Sequence, residues 1–185
     1  MSSSIRSTAD AQRERVTAAA VRVFAHRGLY ATPVADVAAE ASVSPAYVFR
    51  LFGDKEGLFV AAVRSTYARV ADAMTQAGEQ SSATDPRDLL AAMTDAYVAL
   101  IADRDLILMQ AHAQAASNAP AVRGAVREGL AAVVAAVSDG SGAGPADVQR
   151  FIAYGQLCHL IVQTDLDSVP ASWAATLTAG ISHPS

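Results

Sequence analysis

One cysteine, one lysine and one tryptophan are all that this chain of 185 residues holds of those three types, and the scarcities rule things out. A lone thiol, Cys158, closes no internal disulfide, so the fold is not a small cross-linked scaffold, and the chain suits a reducing compartment. The histidines, at positions 26, 112, 159 and 183, have no metal-ligand spacing. With no Cys-x-x-Cys or His-Glu-x-x-His either, no metal site is expected. No glycine-rich phosphate loop is present, so no cofactor is expected and the chain does not read as an enzyme. Cys158 and His159 are neighbours in sequence, but adjacent helix positions point about 100° apart, too far to share a proton. The longest apolar run, LAAVVAAV at 130–137, falls far short of the ~20 residues of a membrane span. The N-terminal MSSSIRSTADAQRERV has charge without an apolar core and does not read as a secretory signal, so a cytoplasmic address with no membrane contact is expected.

Aromatics are scarce too, at 6%, whereas hydrophobic residues reach 52% and are chiefly Ala, Val and Leu. That composition favours closely packed helices over sheets and predicts an all-α protein. Val16, Ala20, Val23 and Phe24 recur at helical spacing, and Gly28 follows as a C-cap, giving a first helix from about Asp10 to Arg27. Thr32 before Pro33 opens a short second helix with Val34, Val37, Ala38 and Ala41 on its apolar stripe. Ser44 before Pro45 opens a third, with Val48, Leu51 and Phe52 facing inward and Gly53 ending it. Asp54 caps a fourth that runs to about Gly78. The stripe from Leu89 to Ile101 marks a fifth, and "SNAP" and "GSGAGP" punctuate the remainder into helices near 105–116, 120–138, 146–165 and 170–181, about nine in all.

Helices two and three, joined by a three- or four-residue turn, form a helix-turn-helix candidate. Val48 and Phe52 would hold the third helix to the body while Pro45, Ala46, Tyr47 and Arg50 face outward. Ala46 and Tyr47 suit thymine methyls or sugar, and Arg50 suits a phosphate or a guanine edge. Lys55, the one lysine, stands at the start of the fourth helix, where free backbone N–H groups offer a phosphate seat. Charge distribution agrees with a polyanion partner. The net charge is −4, yet residues 1–60 carry seven basic against six acidic side chains, and the rest carry seven against twelve. An ordinary helical bundle has the same geometry, so the pattern alone leaves DNA binding and plain packing both open.

The stretch VTAAAVRVFAHRGLYATPVADVAAEASVSPAYVFRLFGDKEGLFVAAV, Val16 to Val63, closely resembles the DNA-binding domain of the tetracycline-repressor family of bacterial transcription regulators. Phe24 and Gly28, Thr32, Val43-Ser44, Phe52, and Lys55-Glu56 with Leu58 keep the order and spacing of that domain. The resemblance implies a three-helix DNA-binding domain over 1–55 and a helical ligand-binding and dimerisation domain over 56–185. It also implies DNA contacts at Thr32, Ser44, Pro45, Ala46, Tyr47, Phe49, Arg50 and Lys55. Two positions depart from the pattern. Phe49 stands where the family usually has a phosphate-gripping tyrosine, and Tyr47 is placed to supply the hydroxyl instead. Ser42 stands where the family usually has a glycine in a left-handed turn.

In the second domain Met93, Tyr97, Met109, His112, Tyr154, Gln156, His159 and Gln163 put soft, aromatic and amide groups among small apolar ones, as a small-molecule pocket requires, although plain core packing uses the same types. His112 is the leading candidate. Phe151, Ile152, Gly155, Leu160 and Ile161, then Trp173 and Leu177, mark the last two helices as a homodimer seam. The family implies a dimeric repressor that binds a double-stranded DNA operator and is released by a small-molecule effector. The alternative is a helical ligand-binding protein or scaffold without specific DNA binding.

Overall fold

The computed structural model describes residues 2–181, and among them it has nine α-helices and no strand. The helices are α1 (Ser2–Ala31), α2 (Val34–Glu40), α3 (Pro45–Phe52), α4 (Lys55–Gln80), α5 (Pro86–Ile101), α6 (Arg104–Ala115), α7 (Pro120–Ser141), α8 (Pro145–Thr164) and α9 (Ser172–Thr178), with a 3₁₀ turn at Leu166–Ser168 before the last. Helix α1 begins earlier than the periodicity implied, because neither Gly nor Pro occurs before Gly28 to interrupt it. Gly28 itself, at φ 67° and ψ −176°, breaks the helix where the sequence placed its C-cap.

By contact the chain divides into two compact units. One comprises the chain up to Tyr67 together with Leu108–Gly129, the other Ala68–Ile107 together with Leu130–Ser185. This is a different cut from the boundary at residue 55, which separates expected roles. The core of the first unit is Val16, Ala20, Phe24, Val37, Val48, Leu58, Phe59 and Val63, joined by Met109, Ala113 and Val122 from the later segment. Phe24 and Phe59 meet edge to face with centroids 4.9 Å apart. The later segment is keyed in by two glycines. The His112 ring fills the space beside Gly28, whose Cβ, were there one, would lie 2.7 Å from Nδ1. Gly129 likewise lies against Tyr67, where a Cβ would stand 2.4 Å from the ring.

Between α2 and α3 the chain turns in a Schellman motif. Val43 N–H donates to the Ala38 carbonyl at 2.9 Å and Ser42 N–H to the Ala39 carbonyl at 3.0 Å. Ser42 sits at φ 55°, the left-handed residue that this motif needs and that glycine supplies at no steric cost. Relief of that strain outweighs the extra freedom a glycine gives the unfolded chain. Ser42→Gly is therefore expected to stabilise the protein by about 0.5–1 kcal/mol, read from the urea midpoint.

In the second unit α4 and α7 approach closely at Gly78 and Gly140. A Cβ on Gly78 would lie 3.3 Å from the Gly140 Cα, and the Met93 methyl packs against both glycines. Helices α5 and α8 run in the same direction, since Arg87 and Ala91 share one groove with Asp147 and Phe151, and Tyr97 lies by Gly155 and His159 further along. Ile161, read from the sequence as part of a seam, is fully buried; Leu160 beside it takes the outward position.

Candidate functional site

Ser44 N-caps α3, its hydroxyl accepting the Tyr47 N–H at 3.2 Å, and Pro45 fills the first turn. The amphipathic spacing of PAYVFRLF then sorts the side chains. Val48 is buried, Leu51 and Phe52 are half-buried, and Pro45, Ala46, Phe49 and Arg50 are exposed. Phe49 is 45% exposed, so this aromatic belongs to the outer face and not to the core. Tyr47 is half-buried with the Arg50 guanidinium 4.6 Å from its ring centroid, a stack that aligns Arg50 along the helix surface.

Helix α1 holds α3 from behind. Arg13 donates to the Leu51 carbonyl at 2.6 Å and lies 4.9 Å over the Phe52 ring, satisfying an orphan carbonyl in the last turn. Gly57 lets the next helix start tight against this end, since a Cβ there would fall 2.3 Å from the Phe52 carbonyl oxygen. Gln12 and Arg15 line a concavity with Val43, Ser44 and Tyr47. The sequence reading missed these α1 residues, although their i, i+3 spacing puts them on one face.

The acidic groups of α2 are already neutralised. Glu40 accepts from Arg22 at 2.8 Å and Asp36 from Arg27 at 2.9 Å, while Arg15 and Arg50 have no acidic partner among the described residues. Arg50 on the outer face of α3 and Arg15 at the concavity beside it are therefore not tied up by the carboxylates of α2.

Two expected DNA contacts sit elsewhere. Thr32 is 1% exposed and its hydroxyl has no hydrogen-bond partner; Pro33, extended at ψ 142°, is the residue before α2, so the helix starts one position later than the N-cap reading placed it. Lys55 is half-buried and donates to the Tyr30 carbonyl at 3.2 Å, closing the end of α1. The α4 N-terminus is capped instead by Asp54, which accepts the Gly57 N–H at 2.7 Å.

The second unit carries a cavity of 270 Å³ between α5 and α8. Of the eight expected ligand residues, Tyr97 and Tyr154 line it, and His159 stands behind Tyr97, bonded through Nε2 to the tyrosine hydroxyl. Met93 is the buried filler between α4 and α7. Met109 and His112 belong to the other compact unit, and Gln156 and Gln163 do not line the cavity. Gly180 and Ile181 after α9 complete the lining with Ala91, Thr94, Asp95 and Val98 on α5 and Phe151, Gly155 and Cys158 on α8. The i, i+3, i+4 spacing on the two helices was legible, but nothing in it distinguishes a cavity wall from core.

Burial, and then the nearby Asp167 charge, push the Cys158 thiol up to about 11, so it is no nucleophile. Burial pushes His159 down to about 4, against an ordinary value near 6.5. Between those values the unfolded chain takes up a proton that the folded site refuses. Stability is therefore lost as pH falls from about 6.5 to about 4, by up to about 3 kcal/mol, and the effect levels off below. His159→Gln, which keeps a hydrogen-bonding group without titrating, is expected to flatten that part of the urea-midpoint profile.

Residues 16–62 match the family model described as bacterial regulatory proteins, tetR family. The transcriptional regulator BetI of Rhizobium meliloti is 33% identical over 82 residues, a match covering 44% of this chain and 39% of BetI, so the chain spans about two fifths of that relative. Among solved structures, Escherichia coli NemR in its reduced form superposes with a TM-score of 0.70 at 19% identity, over 94% of this chain and 100% of that one. FadR from Bacillus subtilis in complex with stearoyl-CoA gives 0.67 at 17%, over 91% and 99%, and a putative regulator from Rhodococcus sp. gives 0.69 at 21%, over 90% and 94%. These likenesses extend the shared fold well beyond the matched segment. The match to the tetR family of bacterial regulatory proteins thus rests on residues 16–62, the segment that holds the capped α3, and the rest of the chain shares the fold of the solved structures.

Proposed function

We propose that the chain is a transcription regulator that binds a DNA operator as a dimer and is released from it by a small molecule, acting as a repressor. The outer face of α3 carries this reading. Pro45, Ala46, Phe49 and Arg50 stand exposed on a helix capped by Ser44 and braced by Val48 and Arg13, the arrangement a major groove accepts. Ser44, Tyr47 and Arg15 are placed to meet flanking phosphates, and Lys55 joins them by releasing the Tyr30 carbonyl. Relatives named as transcriptional regulators, one of them solved with stearoyl-CoA, support both halves of the reading.

Pairing is supported by the surface of the last two helices. No Asp, Glu, Lys or Arg occurs from Phe151 to Thr164 or from Ser172 to Thr178. Tyr154, Leu160 and Trp173 stand there 53%, 48% and 56% exposed. An uncharged patch with large apolar side chains is what a homodimer interface offers, and two copies put their α3 helices into successive major grooves about 34 Å apart. An effector bound in the second unit would favour a conformation that fits the operator less well. The protein would work in the cytoplasm; no helix among the described residues is long and apolar enough to cross a membrane.

The test is selection of genomic fragments by the purified protein, followed by titrations in rising salt. The expected result is an inverted repeat bound with Kd of roughly 10⁻⁸ to 10⁻¹¹ M and a steep salt dependence. Folded dimer that enriches no sequence above non-specific binding would refute the proposal.

A further inference from the structure

We propose that the α5–α8 cavity takes a small aromatic cation, a protonated or quaternary amine of about the size of phenethylamine. The inference rests on the effector-binding reading of the second unit and names the class of effector. At 270 Å³ the cavity lies just below the usual range for ligand sites, about 300–1,000 Å³, so its occupant is small. Three rings, those of Tyr97, Phe151 and Tyr154, form much of the wall. Ring faces carry negative electrostatic potential and attract cations.

Most polar groups in the wall are already engaged. The Tyr97 hydroxyl is bonded to His159, and the Thr94 hydroxyl donates to the Leu90 carbonyl at 2.9 Å. Asp95 makes no ion pair or hydrogen bond among the described residues, and among those residues no arginine, lysine or histidine lines this cavity. One unpaired carboxylate among aromatic rings repels an anion and gives a cation its counter-charge. Past Thr94 and Tyr154 the groove continues to Arg87 and Arg150, but Arg150 is held by Asp147 at 2.8 Å, and that end is the wider and more open of the two. The neutral state of His159 leaves no positive charge behind the rings.

Titration calorimetry of the full chain, without DNA, against phenethylamine, phenethyl alcohol and phenylacetate tests the proposal with three ligands of similar shape. The amine is expected to bind roughly tenfold more tightly than the alcohol, and the acid most weakly. Asp95→Asn alters an exposed side chain with no partner, so the fold should persist; the amine should fall to the affinity of the alcohol, with the alcohol unchanged. Phenylacetate binding as well as the amine, no binding of any of the three, or an Asp95→Asn variant that keeps the preference would each overturn the assignment. These titrations say nothing of the operator. A chain that enriches an inverted repeat but ignores the amine loses this inference alone, and one that binds the amine but no DNA loses the regulator and keeps the site.

Discussion

Gly28→Ala is expected to cost about 2–5 kcal/mol, enough to leave much of a marginally stable protein unfolded. Two independent penalties meet at this position. The backbone at φ 67° and ψ −176° lies in a region that is almost exclusively glycine's, and an L side chain held there costs about 1–3 kcal/mol. The new methyl would also arrive 2.7 Å from His112 Nδ1 and displace the ring, an overpacking penalty of about the same size. A double-mutant cycle separates them. Gly28→Ala combined with His112→Ala should recover the clash and leave the backbone strain, giving a coupling of about 1–2 kcal/mol in urea unfolding. Additive effects would mean that the ring swings aside freely and only the backbone matters.

Arg50→Ala should weaken operator binding by about 1–3 kcal/mol, roughly ten- to a hundredfold, while leaving the urea midpoint nearly unchanged. The side chain is exposed and its one described contact is the stack on Tyr47, so little folding energy is lost. The pattern of the loss tells what Arg50 touches. A phosphate contact would weaken all sequences alike and lower the salt slope by about one, whereas a guanine contact would relax specificity at a single position. Arg22→Ala is the control. It removes the same charge from a residue paired with Glu40 on the α1–α2 side, and it should leave both slope and specificity as they are.

Most helix boundaries were legible because Gly, Pro and capping residues punctuate this chain: Gly28, Ser44-Pro45 and Gly53 act where the sequence put them, while Asp85-Pro86 opens α5 a little ahead of the stripe that begins at Leu89. Pro45, Ala46 and Arg50 on the outward side of α3 were legible for the same reason, since a capped start fixes the phase of the helix, whereas Tyr47 is half-buried and Phe49 takes an exposed position. What escaped were properties set by distant partners. Lys55 reads as a free cation until the Tyr30 carbonyl, 25 positions earlier, appears beside it. Thr32 reads as a cap until Pro33 proves to be extended. Met93, Met109 and His112 carry the chemistry of a pocket, yet two fill the core and the third packs on a glycine, because composition does not reveal which side of a helix faces a void. The whole segment 108–129 joins the N-terminal unit through such contacts, and no local pattern announces them.

The absence of Asp, Glu, Lys and Arg from Phe151 to the end of α8 and along α9 gives the experimenter a separate handle on each equilibrium of the proposed regulator. Association through an uncharged seam has no ions to screen or release, so added salt leaves the dimer intact or tightens it slightly. Operator binding, which exchanges bound cations for Arg50 and its neighbours, loosens steeply over the same range. High salt therefore strips the protein from DNA as an intact pair, and a dimer collected that way is ready to bind again on dilution.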